Sequence, residues 1–438
     1  ISAVEGVALA KKAGVKVLVT DHHLAGSILP NADAIVNPNQ PGCDFPSKAL
    51  AGVGVAFYLL MALRAGLRDN KYFADNGQTE PNIAELLDLV ALGTVADVVP
   101  LDSNNRILVH QGLMRIRSGK CRPGIQALID VANRRAEKLT ASDFGFSLAP
   151  RLNAAGRLDD MALGISCLLA PDLGLARQYA AELDALNVER RAIEQSMQLE
   201  AQAFLSKLSF DGTSLPECLC LYRSDWHQGV IGILAGRIKE QFHRPTIVFA
   251  EGDNGELKGS ARSIPGLHIR DLLEEIASQY PGLIKKFGGH AMAAGLTIAA
   301  ERLETFQLAL SLTAKKHLTA EQLTAVIYSD GELDAECFDL NFARLLQNAG
   351  PWGQAFPEPV FDGEFTLLSQ KMLAERHLKL MLQSANGLLI DAIWFNADNK
   401  TWPDINVKKV HLAYQLDINE YREQQNLQLI VRYMTALS

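Results

Sequence analysis

The segment Val17-Leu18-Val19-Thr20-Asp21-His22-His23 constrains the fold of this chain more than any other. A short, β-branched apolar run ends abruptly in three side chains able to ligate a metal. An amphipathic stretch and a glycine precede it (Val4 to Gly14), so the pattern predicts helix, turn and then a buried parallel strand. In open α/β sheets ligand chemistry gathers beyond the carboxyl ends of the strands, where Asp21, His22 and His23 fall. Imidazole nitrogens together with carboxylate oxygens suit Mn²⁺ or a similar divalent ion. Alone, the tripeptide fits equally well a strand cap whose histidines are hydrogen-bonded in a loop.

A second pattern lies far downstream. Lys286-Phe287-Gly288-Gly289-His290-Ala291-Met292-Ala293-Ala294-Gly295 holds a Gly-Gly-His turn followed by small residues that pack closely. This pair of motifs, in this order, resembles the DHH phosphoesterase superfamily with its DHHA1 domain. Between them, Leu92-Gly93-Thr94-Val95-Ala96-Asp97-Val98-Val99-Pro100-Leu101, then Asn105-Arg106, is similar to the later acidic motif of that superfamily. Three further stretches narrow the resemblance to the RecJ family of bacterial single-strand-specific exonucleases. They are Arg151-Leu152-Asn153-Ala154-Ala155-Gly156-Arg157-Leu158, Trp226-His227-Gln228-Gly229-Val230-Ile231-Gly232-Ile233 and Gly259-Ser260-Ala261-Arg262-Ser263. The resemblance spans essentially the whole chain.

The resemblance implies an α/β protein in four parts. A DHH-type parallel-sheet lobe takes residues 1–175, and a linker helix takes 176–210. A DHHA1 α/β substrate-binding lobe follows over 211–316, then a C-terminal β-barrel of the OB-fold type over 330–438. Members of the family carry an Asp-x-Asp strand and a further acid-ended strand that would lie upstream of Ile1. The first lobe is therefore expected to be incomplete at its N-terminus, and the chain to hydrolyse DNA weakly or not at all.

For chemistry, the resemblance implies a 5′-to-3′ exonuclease specific for single-stranded DNA, serving repair and recombination. Phosphodiester hydrolysis needs an activated water and charge compensation on the phosphoryl and leaving oxygens, which two divalent ions supply. His22 and Asp97 are then metal ligands. Asp21 supports the site, and His23 contacts metal-bound substrate or orients a ligand. The donor set has no thiolate, so Mn²⁺ or Mg²⁺ is favoured over structural zinc. Ser260 and Arg262 would hold a 5′-terminal phosphate, assisted by Arg157. His290 and the Gly288 and Gly289 amides would contact a phosphate near the scissile bond, across a cleft from the metals. Arg106 and Asn153 are placed along a DNA groove. The implied partners are single-stranded DNA, a single-strand-binding protein and a helicase.

Two other readings remain open on the sequence. One is a small-substrate DHH phosphoesterase such as an oligoribonuclease or a cyclic-dinucleotide hydrolase, against which the long helix and added barrel count. The other is a non-catalytic DNA-binding scaffold, against which the intact His22, His23 and Asp97 count.

Composition agrees with several domains. The 438 residues exceed what one core usually supports. No uninterrupted apolar run of spanning length occurs, so a membrane role is not expected and a cytoplasmic setting is. Six scattered cysteines lack a metal-ligand spacing and read as free thiols; Cys218 and Cys220, two apart on a strand, should share one core-facing side. A net charge of −8 argues against wholesale coating of nucleic acid. Residues 106–157 are nevertheless markedly basic, and part of that run could track a phosphate backbone.

Residues from Leu175 to about Leu208 form a run without Gly or Pro, which predicts one extended helix. A coiled-coil dimerisation helix is the competing reading, disfavoured by irregular apolar spacing. In the C-terminal barrel acids outnumber bases, so strand binding there should lean on Trp394 and Phe395, with core packing the role of at least one of them.

Overall fold

The structure, a computed structural model, describes residues 1–26, 28–210, 215–397, 401–421 and 424–437, and the side chains of all of these except 204–210 and 421. The expected boundary at residues 210 and 211 thus touches residues outside the description. The chain divides into two compact units, one of 1–149, 171–173 and 327–438, the other of 150–170 and 174–326.

In the first unit, helix Val4–Lys12 leads into strand β1 (Leu18–Thr20), which pairs in parallel with β2 (Ala34–Val36). The strand falls where the sequence places it, but it is not the buried strand expected. Leu18 is 54% exposed, and β2 is the strand paired with β1 among the described residues. After β2 the described residues up to Phe210 are helices and connectors. Helix Leu87–Ala96 carries no pattern that would announce it. Its short apolar run is buried around most of its circumference, and such a run carries no periodicity that separates strand from helix.

Close packing fixes that helix. A Cβ on Gly112, in helix Ser103–Arg117, would lie 2.2 Å from the Leu87 carbonyl oxygen and 2.4 Å from the Ala91 Cβ. Only glycine permits this approach. Leu50, Val55, Phe57, Ile83, Val90 and Leu108 form the core between these helices and Gly52–Asp69.

The same unit contains a closed five-stranded barrel: β8 (Phe361–Leu373), β9 (His377–Gln383), β10 (Leu389–Phe395), β11 (Lys409–Tyr421) and β12 (Gln424–Leu437). Numbered thus by position along the chain, the barrel strands are joined in the order β10-β12-β11-β8-β9, and the parallel β10–β12 pair closes the ring. Alternating inward side chains such as Leu378, Leu380 and Leu382 fill it. Trp394 packs against this core, whereas Phe395 stays 49% exposed with its ring 5.2 Å from that of His377.

The second unit centres on a mixed sheet of order β3-β4-β5-β7-β6, made of β3 (Leu219–Tyr222), β4 (Thr246–Glu251), β5 (Glu256–Arg262), β6 (Lys286–Gly289) and β7 (Ala293–Ala299). Only the β3–β4 pair within it is parallel. Helices Ile269–Gln279 and Leu303–His317 bury one face, together with Cys218 and Cys220, as the spacing of those thiols predicts. Helix Ile231–Phe242 covers part of the other face. The long helix runs from Leu173 to Phe210, and its Ile193, Met197 and Ala201 pack on Ile231–Phe242. Residues 150–170, which the sequence reading assigns to the first lobe, belong to this unit. Arg151 pairs with Asp184 at 2.8 Å, and Arg157 donates to the Gly229 carbonyl at 3.1 Å.

Candidate metal centre and anion pocket

The end of β1 sets three ligand-bearing residues side by side. One ligand atom each of Asp21, His22 and His23 lies within 4.8 Å of the others. Asp21 organises the turn: its Oδ1 accepts from the backbone N–H of His22 (2.7 Å) and of His23 (3.1 Å), and lies 2.8 Å from His23 Nδ1. Burial raises the Asp21 pKa, and the hydrogen bonds from the His23 backbone and ring and from the His22 backbone lower it.

Asp97, distant in sequence, joins this group. It terminates helix Leu87–Ala96, and its Oδ2 lies 3.3 Å from His22 Nε2. The next residue, Val98, has φ 56°, a conformation costly for a β-branched side chain. The chain beyond it is tied down by Asn105, fully buried, whose amide donates to the carbonyls of Ala49 and Pro100. The later acidic motif therefore delivers Asp97 to His22 and supplies the anchor that keeps it there.

Two residues not singled out from the sequence support the same turn. Asn37 donates to the His23 carbonyl (2.9 Å), and Asn39 donates to the His22 carbonyl (2.6 Å). Asn37 is only 2% exposed. The signal was present: two asparagines flanking a proline just after a strand parallel to the ligand-bearing one. Two imidazoles and two carboxylates, partly open to solvent and without a thiolate, fit a hard or intermediate divalent cation.

In the second unit, alternation along β5 puts Ser260 and Arg262 on the same face of the sheet, with Arg262 Nη1 donating to Ser260 Oγ at 3.1 Å. The first turn of helix Ile231–Phe242 closes over them. A Cβ on Gly232 would lie 3.0 Å from Ser260 Oγ and 3.1 Å from Arg262 Nη2. Burial lowers the Arg262 pKa, and the nearby Arg157 charge lowers it further. Burial lowers Arg157 too, and Glu194 partly offsets it. Two partly desolvated guanidiniums near a helix N-terminus are a candidate anion pocket.

Gly288, Gly289 and His290 lie at the exposed end of edge strand β6, with Gly288 opposite Gly295, which is itself opposite Ser260. Gly289 has φ 149°, and a Cβ there would come within 2.4 Å of the Ala293 carbonyl, so the turn requires glycine.

The basic run at 106–157 is largely committed to contacts within its own units. Arg117 donates to the Leu139 carbonyl, Arg122 pairs with buried Asp88, and Arg134 pairs with Asp143. Arg135 and Lys138 share Glu420 of the barrel, and Arg106 stacks on Phe356 with 4.1 Å from Cζ to the ring centroid. Asn153 is exposed on helix Ala149–Leu158.

Comparison with known proteins agrees with this architecture. Family profiles match in sequence order: the DHH family N-terminal domain over residues 1–94, the DHHA1 domain over 216–316 and the RecJ OB domain over 329–433. Fold and site thus define a DHH-type protein with an added barrel. The whole chain is 57% identical to the single-stranded-DNA-specific exonuclease RecJ of Dickeya dadantii and spans 76% of it. A crystal structure of RecJ from Thermus thermophilus in complex with Mn²⁺ matches all of the chain with a TM-score of 0.80 at 27% identity. Its complex with Mg²⁺ matches 97% of the chain with a TM-score of 0.76 at the same identity. This chain spans 61% and 60% of those two solved chains. The chain belongs to the RecJ family of single-stranded-DNA-specific exonucleases and is a hydrolase. The small-substrate and scaffold readings are not favoured by these relatives.

Proposed function

We propose that this chain hydrolyses phosphodiester bonds of single-stranded DNA from the 5′ end, weakly, with divalent-metal chemistry at the end of β1 and recognition of the terminal phosphate in the second unit. The observation that carries the proposal is the approach of Asp97 to His22 beside Asp21 and His23. His22 Nε2 and Asp97 Oδ2 would hold a Mn²⁺ or Mg²⁺ ion, the two ions with which the Thermus thermophilus relative was crystallised. Such an ion supplies a water deprotonated near neutral pH and charge compensation on the phosphoryl oxygens.

The remaining steps fall to the chain's own side chains. Asp21 sets the His23 ring through Nδ1, so contact with a phosphoryl oxygen would run through Nε2. Asn37 and Asn39 hold the backbone from which both histidines project. Arg262, Ser260 and Arg157 bind the terminal phosphate, with His290 and the Gly288 and Gly289 amides at a neighbouring phosphate. A 5′-phosphate carries more charge than an internal phosphodiester, and two arginines without a carboxylate partner among the described ion pairs favour it.

The four-part division at 1–175, 176–210, 211–316 and 330–438, the roles in repair and recombination, a single-strand-binding protein and a helicase as partners, and a cytoplasmic setting complete this reading. They rest on the family. No helix among the described residues is long and apolar enough to cross a membrane. The test is the order of product release from strands labelled at one end or the other, with Mn²⁺ present. Label should leave a 5′-labelled strand first; release from the 3′ end or internal cuts would sink the assignment of polarity.

A further inference from the structure

The long helix carries a buried polar cluster that the chemistry above does not use. Asn187 is fully buried, and Arg190 and Glu194 are each 8% exposed. Arg190 donates to Glu194 Oε2 at 2.7 Å and to Asn187 Oδ1 at 2.9 Å. The other carboxylate oxygen, Glu194 Oε1, accepts from Arg237 Nε at 3.0 Å, and Arg237 belongs to helix Ile231–Phe242. Among the described residues, Glu194 is the carboxylate that ties the long helix to that one by an ion pair.

An ion pair whose arginine is half exposed is weak evidence for stability, since aliphatic packing would hold the two helices at least as well. What it can add is geometry. The seam of Ile193, Met197 and Ala201 against Ile231, Leu234 and Ala235 presents aliphatic surfaces that tolerate sliding. A carboxylate with each oxygen on a different guanidinium does not tolerate it.

The position of this helix matters at its other end. The Cβ site of Gly232 lies about one atom's contact from Ser260 Oγ and Arg262 Nη2, and that of Gly229 lies 2.4 Å from the Arg157 carbonyl oxygen. Any axial shift would push its first turn into the anion pocket or draw it away.

We propose that Glu194 is a positioning residue for the terminal-phosphate pocket: by pinning Arg237 to the long helix, it sets the first turn of helix Ile231–Phe242 against Arg157, Ser260 and Arg262. The long helix is then the back support of phosphate recognition as well as a connection. The proposal rests on the reading of that pocket given under the proposed function. The Glu194 charge also reaches Arg157, whose pKa it raises against the effect of burial.

The test uses the full chain in EDTA and compares its affinity for a short oligothymidylate with a 5′-phosphate and the same strand with a 5′-hydroxyl. Glu194→Ala and Arg237→Ala should each lower the ratio of the two affinities by about five- to tenfold, since misplacement of a pocket wall is costly even without loss of a contact. Arg237 is half exposed, so its variant breaks the tie with little risk to folding. Arg237→Lys, which keeps a cation on Glu194, should restore most of the ratio. Glu240→Gln, at an exposed partner 3.7 Å from Arg237, should leave it unchanged.

Equal weakening of both strands would mean a structural role only and would overturn the proposal. So would an unchanged ratio in Glu194→Ala and Arg237→Ala while Arg262→Ala abolishes it. A wild-type chain with no preference for the phosphorylated strand would overturn the pocket reading itself, and this inference with it.

Discussion

The metal cluster in one unit and the arginine pocket in the other solve opposite electrostatic problems by opposite constructions. Asp21, His22 and His23 are consecutive, and only Asp97 comes from afar. Their side chains are partly open to solvent, and hydrogen-bond donors of His22 and His23 compensate the Asp21 carboxylate. Asp21, which accepts from backbone and ring N–H groups, steadies the turn that carries the candidate ligand His22. The arginine pocket draws on three segments far apart in sequence, at Arg157, Gly229 to Gly232 and Ser260 to Arg262. Its guanidiniums are desolvated and donate to neutral oxygens of Gly229, Ala261 and Ser260. An internal carboxylate would compete with a phosphate; carbonyls and a hydroxyl orient the cations without neutralising them. A cation site can thus be local, whereas an anion site of this kind needs a fold to keep like charges together.

The sharpest way to break that contrast is to remove one ligand from each side. Loss of an outer-shell partner typically costs 10–100-fold in metal affinity, so His22→Ala or Asp97→Ala should weaken Mn²⁺ binding by more than ~100-fold, read by titration calorimetry. Arg262→Ala should lower the preference for a 5′-phosphate over a 5′-hydroxyl strand by about 10–100-fold, the worth of a charge-assisted hydrogen bond. It should leave Mn²⁺ affinity unchanged; a joint loss would mean that the two sites are not separable. Asn39→Ala removes the support under the His22 carbonyl and should weaken Mn²⁺ by about tenfold, the low end for such partners.

Local features were the ones the sequence disclosed. A β-branched run ending in Asp-His-His placed β1 and its candidate ligands, whereas Ser260 and Arg262, which share one face of β5, were named only through the resemblance. The barrel strands were likewise legible from alternation, as in His377 to Leu382. Asp97 could be paired with His22 only through the resemblance, because nothing in its own surroundings distinguishes a ligand from a helix end. Contacts that depend on packing stayed hidden. The apolar run in helix Leu87–Ala96 has no usable period, and the basic run at 106–157 could not be seen to spend its charges on Asp88, Asp143 and Glu420. Glu194 looked like any acid on a long polar helix until Arg190 and Arg237 closed on it.

The central claim is that the metal is held in the first unit by the His22–Asp97 pair, independently of the arginine pocket. The most direct test is Mn²⁺ binding by electron paramagnetic resonance to wild type, Asp97→Asn and Arg262→Ala, each checked for native circular dichroism. The account predicts tight binding to wild type and Arg262→Ala and its loss in Asp97→Asn. Unchanged binding in Asp97→Asn would contradict it, because the carboxylate beside His22 would then have no part in holding the ion.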